Sequence, residues 1–420
     1  MPRMTRRLLI ILLCISLIGA GWWLVQTLSS TIAQEDPVVA FLDRHWKKPL
    51  SGQGMPPPSF SPKEASLAPQ ACAECHVDQY RDWSTSLHSQ TMGNGILWQA
   101  RALSPAEVAR CLDCHAPLAE QKTLLGQALN WPDAPTDKAP AYVPPDLHQQ
   151  GLVCAACHVR AHVRYGPPPT PGKLPGDTPE LPHGGFQEST AFADSRFCAT
   201  CHQFSEDGPS LNGKLLENTL NEWRVSRHAA EERTCQSCHM PERRHLWRGI
   251  HDPDMVREAL TTKFSVEPGE GGRLRVRAEI RNSGAGHYFP TYLVSKVWLR
   301  LIAVDATGTE QIQLAEAIVS RETDVWLTKE YSDTRLAPDA VRVLTAELPA
   351  PTESGWQIVL RIDVAPREHY ERMFATVLRD SSVKLDALTR DILEAALAEA
   401  RASRYSVLLQ QYALPGAIAN

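Results

Sequence analysis

Spare cysteine is what this chain lacks most. Ten of its 11 cysteines fall within five short motifs, and only Cys14 is left over. No pair remains for a structural disulfide, so cysteine usage gives no ordinary report on redox compartment. A surplus of basic charge is also missing, with 43 Lys and Arg against 48 Asp and Glu and a formal charge of -5. That balance supplies no basic field for nucleic acid. Long apolar runs are confined to one segment near the N-terminus.

What the chain does have is the pattern Cys-x-x-Cys-His, five times over. The copies run from Cys72 and Cys75 to His76, from Cys111 and Cys114 to His115, and from Cys154 and Cys157 to His158. Two more run from Cys198 and Cys201 to His202 and from Cys235 and Cys238 to His239. This spacing is the attachment signature of c-type haem. Two thiols add to the vinyl groups of one porphyrin, and the adjacent imidazole turns onto the iron. Paired Cys-x-x-Cys units also serve zinc, but a tetrahedral zinc site has no need of a histidine after each second cysteine. The expectation is therefore five c-type haems.

The N-terminus indicates the compartment. Arg3, Arg6 and Arg7 precede an uncharged stretch that is most apolar from Leu8 to Leu28, with Trp22 and Trp23 in its outer half. A basic flank before an apolar run is a signal peptide or a signal anchor. The segment is long enough to span a bilayer, so an uncleaved anchor within residues 1–33 is expected. Cleavage near Thr31 to Ala33, leaving a soluble periplasmic protein, is the alternative. Both readings put the remainder on the periplasmic side of the inner membrane, because the arginines stay inside. Cys14 follows Leu13, not a small residue, and reads as a bystander in the apolar helix and not as a lipid anchor.

Residues 34–70 hold Pro49, Pro56, Pro57, Pro58, Pro62 and Pro69 and read as a stiff linker, with a short helix around Pro37 to Trp46. The haem domain is expected over 71–255, mainly helical and rich in loops. From about Lys263 the period changes to two: Leu274, Val276, Ala278 and Ile280 alternate with charged residues, as do Trp356 to Val364 with theirs. Together with further strands between them, this predicts an antiparallel, immunoglobulin-like β-sandwich over 256–368. Apolar residues from Leu385 to Leu397 recur at helical spacing, so the C-terminal part of 369–420 reads as one amphipathic helix over Val383 to Leu414. The fold class is thus α+β with several domains.

Five irons need five sixth ligands, and ten histidines lie outside the motifs. An internal repeat, acidic-Trp-x-x-Ser-x-His, ends at His88 and again at His228. Each is a candidate ligand, or else a histidine at a helix C-terminus that suits the dipole. His162 stands four residues after His158 and so must serve a different iron or none. His148 and His183 lie in segments that can fold back, and His245 and His251 follow the fifth motif. His287 sits in a glycine-rich loop of the sandwich, either as a ligand or as an interface residue. The sixth-ligand set expected from these is His88, His162, His183, His228, His251 and His287. Met92 and Met240 are conceivable thioether ligands, but bis-histidine ligation suits this supply better.

The segment from Cys72 through Tyr80 and Trp83 to His88 resembles the opening of the cytochrome c554 family, as does Gly151 to His158. The resemblance covers roughly residues 71–202. It implies a helical domain of closely stacked haems. It further implies that His88 ligates the haem of Cys154 and Cys157, and His162 that of Cys72 and Cys75. The haem of Cys111, Cys114 and His115 would lack a sixth protein ligand. The fifth motif, followed by Met240-Pro241, and the β-domain depart from the family. That fifth motif resembles those of membrane-anchored, quinol-linked cytochromes.

The function expected is electron transfer through five haems to redox partner proteins, with a quinol-linked donor as one of them. The alternative is an oxidoreductase that acts on a small nitrogen or sulfur compound at one five-coordinate haem. No catalytic residue is assigned.

Overall fold

Proline and serine shape the haem-motif region from the start. The computed structural model describes residues 36–169, 181–308, 311–351 and 354–414, so the Leu8 to Leu28 segment lies outside the described residues. Among those described, no helix is long and apolar enough to cross a membrane. Pro37–His45 forms the expected short helix, with Phe41 and His45 stacked at 4.7 Å. This helix belongs to one unit, and residues from Trp46 onward form a second.

In the second unit, short helices begin where Ser and Pro pre-set their first turn. Ser104 accepts from the Glu107 amide while Glu107 reaches back to the Ser104 amide, opening α1 (Pro105–His115) with Pro105 at its first position. A one-turn helix at Pro62–Ala65 starts the same way, with Ser61 and Glu64. The stretch expected as a spacer is packed along the body: Leu67 is 1% exposed and Gln53 donates its amide to Glu120 Oε1 at 2.6 Å. Proline content describes the stiffness of such a segment but not what two buried leucines, Leu50 and Leu67, will find.

From Leu260 the chain builds two larger antiparallel sheets and a two-stranded ribbon of Arg321–Thr323 with Glu330–Asp333. The strands are β1 (Leu260–Pro268), β2 (Arg273–Asn282), β3 (Lys296–Val304), β4 (Gln311–Val319), β5 (Val341–Pro349), β6 (Gln357–Ala365) and β7 (Tyr405–Ala413). One sheet has the order β5-β2-β1 and the other β7-β6-β3-β4. The alternation in β2 and β6 does what period two dictates, turning Val276, Ala278 and Ile280 inward to meet Ile358, Leu360 and Ile362. Both sheets share this one core, giving a sandwich arrangement. The α+β class is as expected.

The tail is a correction. Helical spacing predicted one helix to Leu414, but the chain forms α2 (Glu368–Arg379) and α3 (Ala387–Ala402) and then returns as β7. β7 pairs with β6, with Val407 against Ile362. The reason lies in Tyr405 to Tyr412, whose aromatic and branched residues favour a strand once an edge is available. α2 and α3 pack on the helix Asn94–Ala102, where Trp98 meets Phe374 edge-on at 5.9 Å. The sandwich and the haem-motif region are therefore joined by a helical clamp as well as by side-chain contacts.

Two substitutions test this packing. Leu360 is fully buried, so Leu360→Ala lowers the unfolding free energy by about 2–5 kcal/mol in chemical denaturation. A Cβ on Gly286 would lie 2.9 Å from Trp223 Cδ1 and 3.2 Å from His228 Cβ. Gly286→Ala then costs about 1–3 kcal/mol in the same assay, with the loop before His287 displaced.

Candidate haem sites

Each motif is a helical turn, because residues at i, i+3 and i+4 share a face there. Cys154–His158 and Cys235–His239 are single turns, His115 ends α1, and His202 ends the helix Ser195–His202. In the first motif the His76 amide donates to the Cys72 carbonyl at 2.9 Å, closing the same turn. Four motif histidines then commit Nδ1 to an oxygen. His115 donates to the Thr91 carbonyl at 3.0 Å, His158 to that of Tyr165 at 2.7 Å and His239 to that of Arg248 at 2.6 Å. His202 Nδ1 meets the Tyr292 hydroxyl at 2.6 Å. An imidazole held through Nδ1 presents Nε2 as a metal ligand, which is how ligating histidines are ordinarily oriented.

The thiols report which motifs adjoin. The free thiols of Cys72 and Cys154, of Cys114 and Cys201, and of Cys198 and Cys235 lie within hydrogen-bonding reach of each other. In each pair the accepting thiol is depressed by that hydrogen bond, to about 7 for Cys72, about 6 for Cys114 and about 7 for Cys235. The first motif thus adjoins the third, while the fourth adjoins both the second and the fifth. Cys198 also feels the charge of Cys157, which brings the third motif beside the fourth.

Three histidine pairs face each other at one spacing. Ring centroids are 6.2 Å apart for His158 and His245, 6.3 Å for His202 and His88, and 6.3 Å for His239 and His287. Two imidazoles bound on opposite sides of one metal, with bonds of about 2 Å, place their centroids roughly 6 Å apart. His88 Nδ1 is buried without a hydrogen-bond partner. Protein around His202 pushes its pKa down to about 4, yet the ring keeps solvent-accessible surface. Neutral imidazoles facing each other across a gap fit a haem iron. Among the described residues, no group of three or more His, Cys, Asp or Glu is arranged to hold a bare metal ion.

The other expected ligands fall differently. His183 lies near His76; burial lowers its pKa, with smaller contributions from Arg164 and His76, and it donates Nδ1 to the Gly185 carbonyl at 2.8 Å. His162 is 1% exposed at a hairpin turn, with Nε2 bonded to the Gly54 carbonyl at 3.2 Å and its ring edge-on to Tyr142. His228 is likewise packed, with Nε2 on the Ser283 carbonyl at 3.1 Å. Both were expected as ligands; here Nε2 of each meets a backbone carbonyl, while Nδ1 of each is buried without a hydrogen-bond partner. His251 sits beside Arg367 and faces no motif histidine, and burial takes it down to about 4. The pairing implied by the family resemblance differs too, since His88 faces the fourth motif and not the third.

Sequence reasoning did not select His245, which lies on an irregular loop with Glu242, Arg243 and Trp247 at positive φ. It also passed over the acids near the second motif. Burial pushes Glu217 up to about 8, against a hydrogen bond from Tyr292, and Glu217 lies close enough to Cys114 to feel its charge. Tyr370, raised by burial, is near Cys111. Among the described residues of the Trp46 to Leu414 unit, no histidine is paired with His115 at the spacing of the other three.

No family model and no curated protein matches the chain. Among solved structures, it is similar to a penta-haem cytochrome c552 from Thermochromatium tepidum, with a TM-score of 0.55 and 20% identity. That alignment covers 83% of this chain and 98% of the other. The likeness is one of fold, and it spans the haem-motif region and the sandwich together.

Proposed function

We propose that this chain is a periplasmic multihaem cytochrome that passes electrons through five covalently bound c-type haems. The observation that carries the reading is the set of opposed imidazoles at 6.2 to 6.3 Å on three of five Cys-x-x-Cys-His motifs. When bound, the haem irons supply one-electron redox chemistry over a range of potentials set by ligands, burial and nearby charge. The cysteines would hold the porphyrins, with His76, His115, His158, His202 and His239 as first axial ligands. His88, His245 and His287 would hold the irons of the fourth, third and fifth sites, and His183 is the candidate for the first. The thiol contacts support a continuous path from the first motif through the third to the fourth, with branches to the second and the fifth. A periplasmic setting and redox-protein partners rest on the sequence, where the arginines and the apolar run precede the motifs.

A second reading has its own observation. Glu217, with its pKa at about 8, keeps a proton at neutral pH and lies near the second motif, whose His115 has no histidine paired with it among the described residues of the Trp46 to Leu414 unit. A protonated acid beside a five-coordinate iron is what reduction of a small nitrogen or sulfur compound requires.

Low-temperature EPR with quantified haem tests both. The purified chain should carry about five haems and, for a pure carrier, show only low-spin ferric signals. His88→Ala, His245→Ala and His287→Ala should each turn about one haem in five high-spin. A high-spin haem in the unaltered protein that shifts when nitrite or hydroxylamine is added favours the second reading. A colourless chain with bound zinc overturns both.

A further inference from the structure

We propose that Asp82 and Glu222 are positioning residues that hold the sixth ligands His245 and His287, from two copies of one structural module. This rests on the ligation reading above. The repeat that drew attention to His88 and His228 is repeated in three dimensions, not only in letters. Trp83 donates Nε1 to the Leu152 carbonyl at 2.8 Å, two residues before Cys154. Trp223 donates to the Arg233 carbonyl at 2.9 Å, two residues before Cys235. The serine of each copy donates its hydroxyl to the tryptophan carbonyl at 2.7 Å. The histidine carbonyl of each accepts an amide at 2.8 Å, from Leu152 in one and from Arg233 in the other. Each copy thus fixes the start of the motif that follows it.

The acid that opens each copy does the complementary task on the opposite side of the same motif. Asp82, with its side chain 3% exposed, accepts the His245 amide at 3.2 Å and a bidentate pair from Arg244 at 2.6 and 2.8 Å. His245 is the ring opposed to His158, the histidine of the motif that Trp83 fixes. Glu222 accepts the Tyr288 amide at 3.0 Å and the Thr291 hydroxyl at 2.8 Å. Tyr288 follows His287, the ring opposed to His239 of the motif that Trp223 fixes. One short helix therefore grips both axial sides of one site, by an indole N–H on the motif side and a carboxylate on the other.

The distal histidines need such a grip. Neither lies in a helix or strand, and a ligand on an irregular loop loses affinity unless its backbone is pre-set. Charge-assisted bonds to a carboxylate are stronger than neutral ones and suit that task. Besides the different partners of their acids, the copies diverge at their last residue. His88 faces His202, whereas His228 bonds the Ser283 carbonyl and so braces the loop that leads to His287.

The test uses the full haem-loaded chain, read by EPR and optical spectra with haem content measured in parallel. Asp82→Ala and Glu222→Ala should each convert about one haem in five to high-spin without losing haem, and the double variant about two. Asp82→Asn and Glu222→Gln, which keep an acceptor oxygen, should stay low-spin. Where an alanine variant does not accumulate, Glu222→Asp and Asp82→Glu move the carboxylate by one methylene. They should then shift the g-values of one low-spin signal. If His245→Ala and His287→Ala leave every haem low-spin, the ligation reading fails and the proposal with it. If those variants give high-spin haem but no substitution at Asp82 or Glu222 changes a spectrum, the positioning role alone is overturned.

Discussion

The distance between opposed imidazoles is the constraint on which the rest of the haem-motif region depends. Holding two buried aromatic rings 6 Å apart with little between them wastes packing, and a protein interior does not ordinarily tolerate it. Here the surroundings are arranged to keep those gaps. Nδ1 bonds turn the motif histidines, indole N–H groups fix the motif turns, and His162 and His228, packed to 1% and 3% exposure, bond the backbone through Nε2. Tightly packed histidines whose Nε2 meets the backbone thus differ from half-open histidines that face one another, a contrast that sequence position does not show.

Much of this was legible in the sequence, and unevenly so. The five motifs, the change to period two near Lys263 and the strands β2 and β6 follow from local rules that tertiary context did not override. His287 was visible as a candidate because its glycines permit a sharp turn that would extend a histidine from the sandwich; that Gly286 lies against Trp223 was not visible. His245 was not, since nothing local distinguishes a histidine on an irregular loop from a surface one. His162 and His228 looked like ligands by spacing and by repeat. What the sequence could not show is that Nε2 of each meets a carbonyl 108 and 55 residues away, from Gly54 and from Ser283. β7 was missed because its neighbour β6 is set by long-range pairing.

The sandwich is more than an appendage under this description. Glu222 and Arg335 lie against each other at 3.6 Å, each about 5% exposed, with Asp333 beside Arg335. Burying such charges is costly unless each is satisfied by hydrogen bonds, and here Tyr288, Thr291 and Asp333 complete the set. Arg321 adds a second buried link, donating to the carbonyls of Leu211 and Leu215 from the sandwich side. The contact between the two parts is therefore specific in its polar geometry and does not slide.

The last strand carries a consequence for biogenesis. β7 comes after two helices and completes a sheet whose other members were made many residues earlier. Until Tyr405 to Ala413 has emerged, β6 has an open edge and the sandwich cannot close. Pairings of such long sequence separation form late. The loop carrying His287 runs between β2 and β3, one strand from each sheet, so the seating of that loop depends on the sandwich being closed.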